Sequence, residues 1–281
     1  MEARAVRRAL KERLNKLPAP LRERLSRSLL GGYESYVAAK QSLRERGSVD
    51  HGLPLPPPRL RVAVVGHADP SLFLNDGRRH NEIIRSSLAR AGAAVETADR
   101  LLDWGCGCGR VARWWGDLPS TEIHGCDYNP KLARWVDRNL PFVDARVNDL
   151  APPLPYTDET FDAAYAISIF THLSDELAIA WMGEIRRILS PGGHFFFTAH
   201  GRSYRDRLSP GEALRFDRDE SVVQYGRDQG SNLCAAYHPS EWIRSRLLDG
   251  FELVEVRETH ALTEAERVSL NQDRWLVRKK L

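Results

Sequence analysis

A run of apolar residues closes on Asp103 and leads into Gly105, Gly107 and Gly109, with Arg110 directly after the last glycine: LLDWGCGCGR. No other stretch limits the fold so tightly. A strand that ends in an acid, a loop with glycine at every second position and a helix-like run at 110–115 make a nucleotide-type entry in an α/β sheet. Glycine lets the backbone approach a ligand where a Cβ would collide. The N–H groups that open the following helix then face an anion. A dinucleotide fold uses G-x-G-x-x-G, whose third glycine would fall on Arg110. The pattern present is D-x-G-x-G-x-G.

Beyond that loop the chain alternates strand and helix. The patterns predict a strand at 100–104, a second at 122–127 and a helix at 129–140, with Asn129 as N-cap and Pro130 in the first turn. A third strand is expected at 145–149. A fourth, at 161–170, is almost wholly apolar, as a strand buried on both faces should be. Ser174 is placed to cap a helix that runs to Leu189, and the turn at 190–193 delivers the chain into a fifth strand at 194–201. Residues 203–233 are polar, carry Gly211, Gly226 and Gly230, and read as an irregular insertion. A helix at 240–250 ends on glycine, and 251–259 and 274–280 are two closing strands. This alternation implies a mostly parallel sheet with helices on both faces.

The N-terminal part has a different texture. Val6, Leu10, Leu14 and Leu17, then Leu21, Leu25 and Leu29 after the break at Pro18 and Pro20, recur at helical spacing. Gly31 and Gly32 are expected to stop that helix, with another over 33–46. Four prolines in the nine residues 51–59 make a stiff extended connector. Residues 59–66 read as a short strand. Residues 75–92 read as a helix with Ile83, Ile84 and Leu88 on one face and a terminal glycine. The expected organisation is a helical arm with a proline-rich linker over 1–59 and an α/β domain over 60–281.

Charge narrows the function classes. The 281 residues carry a net charge of only +3, which argues against a chain that binds nucleic acid along its whole length. The first fifty residues hold twelve Lys/Arg and six Asp/Glu, a local +6, so the remainder is −3. The arm's charge reads as a solvated face or a homodimer contact. No apolar run is long enough for a membrane span, the N-terminus does not read as a secretory signal, and four cysteines are too few for a disulfide framework. A cytoplasmic location is the expectation. The Cys106 and Cys108 pair does not predict zinc, because Cys126 and Cys234 stand alone and a structural site needs four ligands.

The glycine loop resembles motif I of the class I S-adenosylmethionine-dependent methyltransferases, and the segments after it keep the family's order over 100–201. Within the class, LLDWGCGCGRVARWW, AISIFTHLSDE and the C-terminal NQDRWLVRK look like the bacterial type 11/12 branch. The resemblance implies a Rossmann-like seven-stranded, mostly parallel sheet with an antiparallel C-terminal hairpin, S-adenosylmethionine as cofactor, and transfer of its methyl group. It implies that Asp103, Gly105, Cys106, Gly107 and Gly109 wrap the methionine part, the backbone N–H of Cys106 included. Asp127, with Tyr128 beside it, would hold the ribose, and Asn148, Asp149 and Leu150 the adenine edge. Ser168 would close the site from the fourth strand.

The acceptor is less constrained. The four residues 168–171, Ser-Ile-Phe-Thr, lack the N/D-P-P-Y/F type of motif that holds a flipped adenine, and no Pro-Cys stands there to attack a pyrimidine, so base methylation is disfavoured. His172 and His200 follow the fourth and fifth strands at the carboxyl edge where such sheets bind ligands. They are the candidates for a general base or an acceptor contact, since imidazole titrates near neutrality. The expected acceptor is a small molecule, a sugar or secondary metabolite, methylated on O or N. Two other readings are an RNA methyltransferase docking through the basic arm and a cofactor-binding protein without transferase activity.

Overall fold

The computed structural model describes residues 52–231, 233–262 and 271–281, together with 13, 25, 29, 32, 35–39, 41, 49 and 50. The helices expected over most of 2–46 lie outside the described residues. Gly32 is itself helical, and Gly31, the other half of the expected stop, lies outside the described residues. The chain divides into two compact units, residues 1–75 and 76–281. The boundary expected from the proline linker was 59/60.

In the first unit, the segment read as a strand at 59–66 is a helix, α1 (Pro58–Val65). The apolar run Val62-Ala63-Val64-Val65 suggested a strand, but Pro58 sits in the first turn and Gly66 closes the helix in the left-handed region with φ 73°. Proline at the start and glycine just past the end are a helix's own punctuation, and here they outweigh β-branching. Arg61 is buried and donates to the carbonyls of Pro56 and Ala68. Helix α2 (Pro70–Arg90) begins five residues before the expected start at 75. It buries Ile84 and Leu88, leaves Ile83 partly exposed, and is followed by Gly92 at φ 75°.

The second unit is built on seven strands: β1 (Arg100–Trp104), β2 (Glu122–Asp127), β3 (Val143–Val147), β4 (Phe161–Ala166), β5 (Leu189–Ala199), β6 (Phe251–Arg257) and β7 (Asp273–Lys279). They form one sheet in the order β3-β2-β1-β4-β5-β7-β6. The pairs β3–β2, β2–β1, β1–β4 and β4–β5 are parallel, while β7 runs antiparallel to both β5 and β6. The Rossmann-like sheet with an antiparallel C-terminal hairpin is therefore present. The chain winds outward from β1 to β3 and then returns to β4 on β1's other side. That reversal puts a crevice at the carboxyl ends of β1 and β4, the place where open α/β sheets take ligands.

Local signals account for most helices. Asn129 caps α3 (Pro130–Asn139), its side chain accepting from the Lys131 N–H at 3.1 Å. Ser174 caps α4 (Asp175–Ile188) through the Leu177 N–H. Trp104, Phe170, Trp181, Phe195, Phe197 and Trp275 anchor the main core. Trp104 packs 4.8 Å from Trp181 and edge-on to Phe170 at 5.5 Å, geometries aromatic pairs favour.

Four expectations change. The helix expected from Arg110 is a single 3-10 turn, Ala112–Trp115, because only a few residues separate Gly109 from Gly116. Strand β4 stops at Ala166 rather than 170, since Ser168 turns into the left-handed region at φ 64°. The turn at 190–193 is a bulge inside β5: Phe161 pairs with Leu189 and Ala163 with His194, leaving those four residues opposite Asp162. The polar insertion is folded. It holds a 3-10 segment (Arg202–Arg207), α5 (Pro210–Phe216) with a Ser209–Glu212 capping box, and an antiparallel pair of Val222–Gln224 with Ala235–Tyr237. Tyr204, Phe216, Val222 and Tyr237 give it a small core of its own. Helix α6 (Ser240–Arg246) then leads to Gly250 at φ 78° and into β6.

Candidate active site

The glycine loop leaves β1 with all three glycines at positive φ: Gly105 at 79°, Gly107 at 56° and Gly109 at 75°. Side chains are strained there. A methyl at Gly105 would also collide with Ile169 Cδ1, and one at Gly109 would lie 2.6 Å from Leu140 Cδ1. The loop is thus pressed against the chain beyond β4 on one side and against the end of α3 on the other.

Asp127, at the end of β2, holds this loop. Its Oδ2 accepts from the Gly107 N–H at 2.9 Å and its Oδ1 from the Asn129 N–H at 2.8 Å. Burial pushes its carboxyl up to about 6, against the pull of those two N–H groups. Asp103 is buried deeper. Burial raises its carboxyl to about 7, and the Tyr165 hydroxyl and the Arg110 guanidinium act in the opposite direction. The Trp115 indole donates to the Tyr165 oxygen at 2.9 Å. Asp103 Oδ2 is buried and accepts no hydrogen bond among the described residues.

The other expected site residues fall into three groups. Cys106 is a correction: its N–H, like that of Gly105, is donated to the Cys126 carbonyl, at 2.9 and 2.8 Å, and is taken up inside the protein. The Cys106 thiol packs under the loop, where a methyl at Gly125 would lie 3.3 Å from its sulfur. All four cysteines are buried, and burial raises the Cys106 and Cys126 thiols well above their usual range. Beyond β2 and β3, Tyr128, Asp149 and Leu150 are exposed and Asn148 is buried. Asn148 donates to the Asp149 carbonyl at 2.7 Å, while its Oδ1 has no partner among the described residues. Ser168, across the crevice, is fixed from two sides: its N–H donates to Thr198 Oγ1 at 2.8 Å, and its hydroxyl bonds the Gln272 side chain at 3.1 Å.

Both histidines meet the insertion. His172 Nδ1 donates to the Cys234 carbonyl at 2.6 Å, and His200 Nδ1 to the Ala236 carbonyl at 3.0 Å. These carbonyls are two residues apart on one extended segment. A carbonyl only accepts, so each Nδ1 carries the proton and each Nε2 is the basic atom. Tyr204 and Tyr237 flank the His200 ring at 4.0 and 5.3 Å. Burial, with His172 and Arg207 adding to it, holds His200 well below the usual imidazole range. Sequence patterns did not single out Tyr165, Thr198, Gln272 or Gly77. A methyl at Gly77 of α2 would collide with the Arg110 carbonyl oxygen, and a glycine inside a helix was the available signal for that close approach. Arg110 is buried with Nη1 2.9 Å from His80 Nδ1. Burial and the guanidinium together keep that imidazole neutral, well below its usual range.

The sheet order, the glycine loop on Asp127 and the switch-point crevice are now joined by similarity to known proteins. A family model described as a methyltransferase domain matches residues 102–197. That segment is similar to methyltransferase domains. Methyltransferase GfsG of Streptomyces halstedii is 33% identical over 104 residues, 35% of this chain and 37% of that protein. Sterol methyltransferase-like 2 of Botryococcus braunii is 28% identical over 171 residues, 53% of this chain and 43% of that protein. The match thus spans less than half the length of either relative. Among solved structures, a SAM-dependent methyltransferase from Methanosarcina mazei superposes with a TM-score of 0.52 at 19% identity, covering 69% of this chain and 97% of that one.

The cofactor of this methyltransferase class is S-adenosylmethionine, and the residues present fit it. Asp103 Oδ2 and Asn148 Oδ1 are buried acceptors without partners among the described residues. They stand at the ends of β1 and β3, on either side of the Asp127 loop. A ligand carrying an ammonium at one end and an amine at the other would satisfy both, which buried polar atoms require.

Proposed function

We propose that the protein transfers the methyl group of S-adenosylmethionine to an O or N nucleophile of a small-molecule acceptor. The observation that carries this reading is the three-glycine loop closed onto Asp127 at the switch point, with Ser168 and His172 just beyond the neighbouring strand β4. In this reading Asp103, Gly105, Gly107 and Gly109 hold the methionine part, Asp127 and Tyr128 the ribose, and Asn148, Asp149 and Leu150 the adenine, with Ser168 closing the site. S-adenosylmethionine supplies an activated methyl group when bound. The chain therefore has mainly to align a nucleophile, and proximity and orientation carry much of the acceleration.

His172 and His200 face the acceptor. The Nδ1 bond of His172 to Cys234 leaves Nε2 as the atom that takes a proton from an acceptor hydroxyl. His200, neutral and flanked by two tyrosines, offers a second acceptor of hydrogen bonds. Ser168, Thr198, Gln272 and Tyr204 offer uncharged hydrogen-bonding groups, which suits a hydroxylated acceptor such as a sugar or secondary metabolite, and Arg207 and Asp273 supply charge beside Tyr204. The Botryococcus braunii relative is named for a sterol, also a small molecule.

The test is direct. Calorimetric titration with S-adenosylmethionine measures cofactor binding, and release of S-adenosylhomocysteine across a panel of sugars, phenols, sterols and amines measures turnover. Binding without turnover across a broad panel would favour a non-catalytic protein. The arm's +6 charge supports one other reading, RNA docking, which requires a steep salt dependence of RNA affinity that is lost when residues 1–50 are deleted.

A further inference from the structure

The insertion touches the site at more points than a covering flap requires. Gly230 donates its N–H to the His172 carbonyl at 2.8 Å. The adjacent Gln229 side chain accepts from the Ser174 N–H at 2.7 Å. Four residues past Gly230, the Cys234 carbonyl accepts from His172 Nδ1 at 2.6 Å. Gly230, Cys234 and Gln229 thus grip His172 at its backbone, at its ring and at the start of the helix that follows it.

The same glycine meets the other end of the crevice. A methyl at Gly230 would lie 2.8 Å from Leu150 Cδ1 and 3.1 Å from the Tyr128 ring. Gly230 stands at φ 77°, where only glycine is unstrained. Two exposed side chains, one beyond β2 and one beyond β3, thus stand within a methyl's reach of Gly230, while its N–H holds the segment after β4. A displacement of Tyr128 or Leu150 toward Gly230 closes the little space left there, no more than a methyl's depth, and a shift of Gly230 moves a hydrogen bond to His172.

We propose that Gln229 and Gly230 are positioning residues that couple the adenosine side of the crevice to His172: cofactor seated against Tyr128 and Leu150 sets the place of the His172 imidazole. This rests on the cofactor assignment above and adds to it an order of events, in which the base is set only once the cofactor is in place. A close approach at Gly230 and one hydrogen bond form the contiguous path between the two sides of the crevice.

The experiment uses the full chain with histidine ring nitrogens labelled and S-adenosylhomocysteine as the probe. Calorimetry measures binding, and the His172 imidazole resonances, assigned by their loss in His172→Ala, report its position. In the wild type the probe should bind and move these resonances. In Gln229→Ala the probe should still bind but most of that movement should be lost, and in Gly230→Ala, whose methyl presses on Tyr128 and Leu150, binding should weaken along with it. Movement that persists undiminished in both variants would mean that the ligand acts on the ring directly, and the coupling would be overturned. Resonances that stay fixed in a saturated wild type would overturn it as well. If Gly230→Ala does not fold, Gln229→Ala, which changes no backbone conformation, carries the same comparison. No binding of the probe to the wild type would overturn the cofactor assignment and the coupling with it.

Discussion

Removing the Asp127 carboxylate separates the loop's internal support from its hold on the cofactor. The carboxylate offers about four lone-pair sites. Two are used by the Gly107 and Asn129 N–H groups, at 2.9 and 2.8 Å, and about two remain for ribose hydroxyls. Hydrogen bonds to a charged group contribute about 1.5–3 kcal/mol. Asp127→Ala should therefore weaken S-adenosylmethionine by about 1.5–3 kcal/mol, a factor of roughly 10 to 150 at 1.36 kcal/mol per decade. The stability cost should be smaller than the lost bonds suggest. A buried Gly107 N–H without a partner costs ~1–3 kcal/mol, but the mutation also removes a carboxylate that burial has already pushed up to about 6. Asp127→Asn keeps one acceptor oxygen and should fall between wild type and alanine. Calorimetric titration near pH 8, with thermal melts of the same samples, reads both quantities. A folded Asp127→Ala protein with wild-type affinity would refute the assignment of Asp127 to the ribose.

Gly107→Val should abolish cofactor binding while leaving the sheet folded, since φ 56° strains any β-branched residue at the loop's tip; circular dichroism and calorimetry on one sample decide it, and normal binding would mean that the loop faces something else. His172→Ala should leave cofactor affinity nearly intact and lower turnover on a hydroxyl acceptor by about 10²–10⁴; unchanged turnover there would remove it as the base. Cofactor affinity should fall as pH drops through about 7 and 6, because burial raises Asp103 and Asp127 to those values and the ligand is held by the ionised forms; Asp103→Asn should flatten the upper part of that dependence in titrations from pH 5 to 8. The cofactor-free protein should show the opposite trend. Folded values above the unfolded ~3.9 mean that the folded state binds more protons, so these carboxyls favour folding most at acid pH and that contribution is lost as pH rises through 6 and 7. Denaturant midpoints that rise between pH 5 and 7 in wild type, relative to Asp103→Asn, would contradict this.

The sequence alone determined the succession of the seven sheet strands from residue 100 onward and the glycine loop with Asp127 one βα unit later, while the antiparallel ending followed from the family resemblance. The first two are written in local signals: apolar period, an N-cap at Asn129 or Ser174, glycine where φ must be positive. Local signals also misled where two of them competed. The Val-rich run in α1 looked like a strand although Pro58 and Gly66 bracket a helix, and the apolar run of β4 looked four residues longer than it is because nothing in the composition marks the turn at Ser168.

Only the tertiary structure decided what the functional residues touch. It took the Cys106 N–H away from the ligand by giving it the Cys126 carbonyl, tied Ser168 to Gln272 across 104 residues, and turned a polar stretch into a folded insertion whose carbonyls fix His172 and His200. The bond from His172 to Cys234 joins residues 62 apart, between a backbone oxygen and a ring nitrogen. A backbone carbonyl is present at every position, so no residue type announces that one of them will be an imidazole's partner. Periodicity and capping act over one or two helical turns and are legible along the chain. Contacts closed by the winding of the sheet depend on where distant segments meet, and that is set by packing the whole core.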